Sequence, residues 1–118
     1  PPAAPAPAPP AVTGRYQVVD SFPDGFIGEV RVVNRSSRAV GWQVRLDFPA
    51  GVGAVRASWV DGSPPPTVSR SGQRYVFTGA TPLGAGATAP LRFHLTRTGT
   101  GNSPTRCQVN SAPCTARG

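Results

Sequence analysis

Side chains able to do chemistry are few in this chain, and most stand alone. His94 is the single histidine and sits in LRFHLT with no serine or cysteine signature beside it. It therefore lacks the partners of a nucleophile–base pair, and a lone histidine in a strand is most often a structural or surface residue. The carboxylates are Asp20, Asp24, Glu29, Asp47 and Asp61. Glycoside hydrolysis needs two of them held across a cleft, and Asp24 and Asp61 fall in turn sequences, PDG and VDGS. Cys107 and Cys114 with His94 do not reach the four ligands of a structural zinc. We expect no catalysis, no metal and no other cofactor.

The aromatics are the more informative set. In SFPDGFIGEVRVVN (21–34), Phe26, Gly28, Val30, Val32 and Asn34 share one parity, and Ile27, Glu29, Arg31 and Val33 the other. That alternation is the mark of a half-buried strand. Phe22 stands outside it, before a Pro23-Asp24-Gly25 turn, so its ring is either folded back into the core or held up to solvent. In VGWQVRLDF, Trp42 shares its side with Val44, Leu46 and Phe48 and is expected in the core. Trp59 ends AVRASWV with Ala57, Val55 and Gly53 at its parity and a polar turn following. Parity leaves open whether it faces solvent or caps the rim of the core.

The elements that must position these rings are strands. RYQVVDS (15–21), FIGEVRVVN (26–34), VGWQVRLDF (40–48), AVRASWV (54–60), PTVSR (66–70), QRYVFTG (73–79), TAPLRFHLT (88–96) and TRCQVN (105–110) follow one another across short turn signals, with no helical period between them. Such spacing predicts an all-β, antiparallel sandwich of about eight to nine strands. The 14 Gly and 15 Pro leave little room for helix. Residues 1–13 open with PPAAPAPAPP, a Pro/Ala tract that would form an extended spacer. Residues 14–115 are then one folded domain and 116–118 a tail. A spacer suggests a module cut from a larger chain, or the N-terminus left by a removed signal peptide. No stretch is long or apolar enough to span a membrane.

The formal charge is +7, and all twelve basic residues are Arg, which fits a GC-rich genome. A cationic surface could meet an anionic polymer such as nucleic acid or teichoic-type wall material. Yet Arg31, Arg45 and Arg92 fall singly within alternating runs, as a solvated sheet face requires. No basic run or nucleic-acid motif is present, so nucleic acid is not an expected partner. Two cysteines in a small domain beside a Pro-rich segment suggest secretion and a disulfide.

Five pieces, in order, resemble the family 2 carbohydrate-binding modules, the cellulose- and xylan-binding domains of actinobacterial secreted glycoside hydrolases. They are FPDGFIGEVRVVN, GWQVRLDFPAG, RASW, AGATAPLRF and NSAPC, and the likeness covers residues 14–115. The resemblance implies a jelly-roll-like or immunoglobulin-like sandwich with three exposed aromatics in a row on one face. Phe22 takes the first position and Trp59 the second. The third falls near Gly79, where no aromatic stands. In this family a Gly three residues after the first aromatic, here Gly25, goes with the flat, cellulose-type orientation, and an Arg with the xylan type. Members usually bridge the first strand to the last; the N-terminal partner would lie near residues 12–14 and is absent, so a local Cys107–Cys114 bridge is expected, worth about 2.5 kcal/mol on the chain-entropy model.

Such a platform has a physical rationale. The axial C–H bonds of a pyranose stack on an aromatic face, while the equatorial hydroxyls reach sideways to polar groups. The expected function is thus a secreted, monomeric, non-catalytic module. It would tether a catalytic domain to insoluble β-1,4-linked polysaccharide, cellulose first, with chitin or xylan as alternatives. Phe22 and Trp59 would stack, and Gln73, Thr78 and Asp61 would add hydrogen bonds. Departures from the family pattern at Asp20, Glu29 and Ala57 leave a second expectation: a structural or adhesive sandwich whose arginines meet anionic cell-wall polymer.

Overall fold

The computed structural model describes residues 11–116, so the Pro/Ala tract at 1–10 lies outside the described residues. Alternating residues build β1 (Val12–Phe22), β2 (Gly25–Asn34), β3 (Gln43–Asp47), β4 (Val52–Val60), β5 (Thr67–Ser71), β6 (Arg74–Thr78), β7 (Thr88–Arg97) and β8 (Arg106–Val109). Two short strands follow, β9 (Ala112–Pro113) and β10 (Thr115–Ala116). They form two five-stranded sheets, ordered β10-β1-β2-β7-β4 and β5-β6-β3-β8-β9. Every pairing between these strands is antiparallel except β1 with β10. The fold is an all-β sandwich, as the strand spacing predicted.

Three boundaries differ from expectation. β1 starts at Val12, which is buried, so the folded part begins ahead of residue 14. The third strand is confined to Gln43–Asp47; Val40 instead makes an isolated bridge to Leu83. At the C-terminus, β9 and β10 exceed the expected count. Each has two residues, too few for alternation to register, and Ala116 of the expected tail belongs to β10.

Inward residues of the two sheets meet in one apolar core. β2 and β7 contribute Phe26, Val30, Val32, Leu91, Phe93 and Leu95, and the facing sheet Val44, Leu46, Tyr75, Phe77 and Val109. Phe77 and Phe93 stack across the interface at 5.0 Å, and Phe48 packs its ring against Tyr16, Phe26, Tyr75 and Phe93. Each fully buried side chain of this kind stabilises by about 1.5–3 kcal/mol. Trp42 is 6% exposed and belongs to this core, on the side its parity predicted. The buried Asn34 is satisfied locally: its amide donates to the carbonyls of Arg38, Leu83 and Gly84, and its Oδ1 accepts from Ser36. That bonding fixes the exit from β2.

Cys107 and Cys114 form the expected disulfide. Cys107 lies in β8 of the second sheet, whereas Cys114 stands between β9 and β10, where the chain crosses to the first sheet. The bridge therefore fastens the two sheets along one edge.

Candidate functional site

Parity on β2 and β7 turns Ile27, Glu29, Arg92 and His94 away from the core, onto the outer face of the first sheet. Phe22 joins them because irregular pairing between Val18 and Asp20 resets β1 and sets this residue opposite Gly25, against the parity it shares with the buried Tyr16. Trp59 joins them because its register partner is Arg92 while the next residue, Val60, is buried. Irregular pairing in β4, between Val52 and Val55 and again between Val55 and Ala57, breaks simple alternation along this strand. Such bulges re-aim side chains, which is why parity counted back to Gly53 could not settle where Trp59 points. Phe22 and Trp59 are both half-buried. With three strand spacings and four residue rises between their positions, they stand about 20 Å apart on one face.

His94 occupies the diagonal between them. It pairs with Ala57 on one side and Ile27 on the other, and its ring lies 5.6 Å from that of Phe22, tilted by 52°. Gly25, the partner of Phe22 across the hairpin, adds no side chain between these rings. A β-carbon there would come within 2.5 Å of the Leu95 carbonyl oxygen and 3.4 Å of His94 Nε2.

The turn carrying Phe22 is clamped from β7. Arg97 donates from Nη2 to the Phe22 carbonyl and the Ser21 hydroxyl, each at 2.8 Å, and its backbone N–H donates to the Asp24 carbonyl at 2.9 Å. Its guanidinium also lies over the Phe26 ring at 5.6 Å. Three bonds and a cation–π contact hold the hairpin tip in one orientation.

Beside Trp59 runs a polar row, Arg92–Glu29–Gln17, in register across three strands. Glu29 is fully buried although it faces outward, because its neighbours cover it. Arg92 Nε donates to one carboxylate oxygen at 2.8 Å, and Gln17 Nε2 to the other at 2.9 Å. The bond to Glu29 raises the Arg92 pKa above its ordinary value, with desolvation opposing it, and the nearby charge of Asp61 adds to the rise. Asp61 is exposed in the turn that follows β4, two residues after Trp59.

Gln73 and Thr78 are not brought into this group. Gln73 donates to the carbonyls of Pro49 at 2.8 Å and Val52 at 3.0 Å, bracing the loop ahead of β4. Thr78 lies on β6 of the opposite sheet and accepts a bond from Gln43 Nε2 at 3.2 Å. Where a third aromatic would stand, Gly79 is pressed so closely onto the Trp42 indole that a β-carbon would collide with it. The residues that sequence reasoning missed are His94 and Arg97. The alternation of His94 with Phe93 and Leu95 marks it as outward-facing, but only the sheet order puts it between Phe22 and Trp59.

The cellulose binding domain family model matches residues 12–114. No curated protein sequence matches the chain. Among solved structures, the chain is similar to the chitin-binding domain of Chi18aC from Streptomyces coelicolor, with 25% identity, a TM-score of 0.69, and coverage of 88% of this chain and 94% of that one. The chitin-binding domain of a Pyrococcus furiosus chitinase shares the fold at 16% identity and a TM-score of 0.64, covering 94% and 99% of the two chains. An archaeal chitinase matches over 80% of this chain and 21% of its own, with 12% identity and a TM-score of 0.65.

Proposed function

The chain belongs to the cellulose binding domain family, and from that premise we propose a non-catalytic module that holds a larger secreted protein on an insoluble β-1,4-linked polysaccharide. Phe22 and Trp59 stack on pyranose rings, His94 adds a ring and hydrogen-bonding nitrogens between them, and Asp61 accepts from sugar hydroxyls at the Trp59 end. The observation that carries this reading is the sharing of one outer sheet face by Phe22, His94 and Trp59. An open, flat face suits a polymer surface better than a single soluble chain. The carboxylates Glu29 and Asp47 are engaged by Arg92 and Arg74, which supports a role in binding rather than hydrolysis.

Two polymers lead the choice. Gly25 favours the flat, cellulose-type orientation, and the chitin-binding solved relatives put chitin beside cellulose. Attachment to such a surface raises the local concentration of a tethered catalytic domain at its substrate.

Depletion isotherms on microcrystalline cellulose, chitin and insoluble xylan, for wild type and Trp59→Ala at low and high NaCl, test the proposal. Binding to cellulose or chitin that ignores salt and weakens about thirtyfold in Trp59→Ala is expected, given about 2 kcal/mol for a buried aromatic anchor. Binding that salt removes and the substitution leaves alone would overturn it.

A further inference from the structure

The same sheet face carries a second feature, at the end away from Phe22. Thr13, Arg15, Arg31, Val33, Arg35 and Thr115 line an open concavity. Its floor is the cross-strand pair Thr13 and Val33, and one wall is Arg15 directly opposite Arg31. Like charges placed directly opposite each other are destabilising in a sheet. Arg35 approaches from beyond the end of β2, its Nε donating to the Thr13 hydroxyl at 3.3 Å.

The charge here is poorly compensated. Arg15 and Arg35 have no carboxylate within ion-pair distance among the described residues, and Arg31 reaches Glu29 only at 3.8 Å. Each oxygen of Glu29 already accepts a shorter bond, one from Arg92 at 2.8 Å and the other from Gln17 at 2.9 Å. Nothing in the fold needs three arginines there: the side chains of Arg15 and Arg35 are exposed, and that of Arg31 is 57% exposed.

We propose that this cleft is an anion subsite that accepts the carboxylates of an acid-bearing polysaccharide. Three planar guanidinium forks around one hollow suit carboxylates, which they can grip bidentately. The shallow floor sets the Thr13 hydroxyl beside the Val33 methyls, a mixed surface that suits a sugar ring, which presents hydroxyls and C–H bonds together. Because the cleft lies off the diagonal from Phe22 to Trp59, it engages a neighbouring stretch of polymer. The charged subsite is therefore separable from aromatic stacking and does not depend on it.

Affinity electrophoresis in gels containing carboxymethyl cellulose or hydroxyethyl cellulose separates charge from backbone, since both polymers share the β-1,4-glucan chain. Wild type is expected to bind the carboxymethyl polymer about tenfold more tightly. Arg15→Gln/Arg31→Gln/Arg35→Gln should abolish that excess and leave the hydroxyethyl affinity unchanged. A control of equal charge, Arg45→Gln/Arg70→Gln/Arg106→Gln on the opposite sheet, should keep it. Trp59→Ala should lower both affinities by one factor and keep their ratio, so loss of the aromatic reading and loss of this one give different patterns. Absence of the excess in wild type, or its equal loss in both triple variants, would refute a local subsite. Thermal unfolding of each variant shows that the folded state is being compared.

Discussion

Phe22 owes its pose to neighbours more than to its own chain. Its hairpin tip is bonded by Arg97, its ring meets His94, and the bare Gly25 opens the space between. Under the proposed stacking, Phe22→Ala is expected to weaken polymer binding about thirtyfold, with little change in the unfolding midpoint because the ring is already half in water. Phe22→Trp, which enlarges the stacking face, should tighten binding about threefold. The clamp gives a sharper test. Arg97→Gln removes the donors to Ser21 and Phe22 and should cost about 1–3 kcal/mol of stability. If Arg97 acts by fixing the ring, then Phe22→Ala in that background should cost much less than thirtyfold. An unchanged penalty, read from isotherms of the single and double variants, would show that the pose is set elsewhere.

Among the elements, the edge formed by β8, β9 and β10 depends on its disulfide. Gly14 lies against Cys114, with 3.2 Å between its would-be β-carbon and that of Cys114. The first strand therefore passes the terminal cysteine closely, yet supplies no thiol. Cys114 turns to Cys107, seven positions back. Replacing both cysteines by Ser should lower stability by about 2.5 kcal/mol, read as an earlier urea midpoint, and should speed amide exchange at Thr115. Polymer binding should survive, since the aromatic face lies toward the other end of the sheet. Much of this architecture was legible beforehand. Strict alternation in β2, β3 and β7 gave the inward set correctly, because a strand buried on one side must alternate, and Trp42 keeps the same parity into the core although it precedes β3. The rest was not legible, for physical reasons. Bulges in β4 broke the parity that would have oriented Trp59. Glu29 is outward by parity yet buried by long side chains from adjacent strands, a property of sheet order. The placing of Gln73 and Thr78 away from the aromatics is likewise set by strand pairing, which no local pattern encodes.

At the scale of the whole molecule, the composition isolates one pH-dependent contribution to stability. The chain has no Lys and no free cysteine, so between about pH 9 and 12 its two tyrosines are the side chains that titrate. Both are fully buried in the core. Burial pushes the Tyr16 hydroxyl well above its ordinary value, against a smaller lowering by Arg97, and pushes Tyr75 in the same direction against Arg70. An unfolded tyrosine loses its proton near pH 10 while the folded one keeps it. Above that pH the unfolded state binds fewer protons, so stability is intact below about pH 10 and falls as pH rises, by up to about 1.4 kcal/mol per pH unit for each tyrosine. Urea midpoints should be level from pH 7 to 9 and decline from pH 10. Tyr16→Phe loses the bond from its hydroxyl to the Asn102 carbonyl, so it should start about 1 kcal/mol lower at neutral pH. It should then decline less steeply, with Tyr75 alone still titrating, and meet the wild type near pH 11. Parallel declines in the two proteins would mean that Tyr16 ionises as readily in the fold as out of it, and that the core joining the two sheets is open to water at that position.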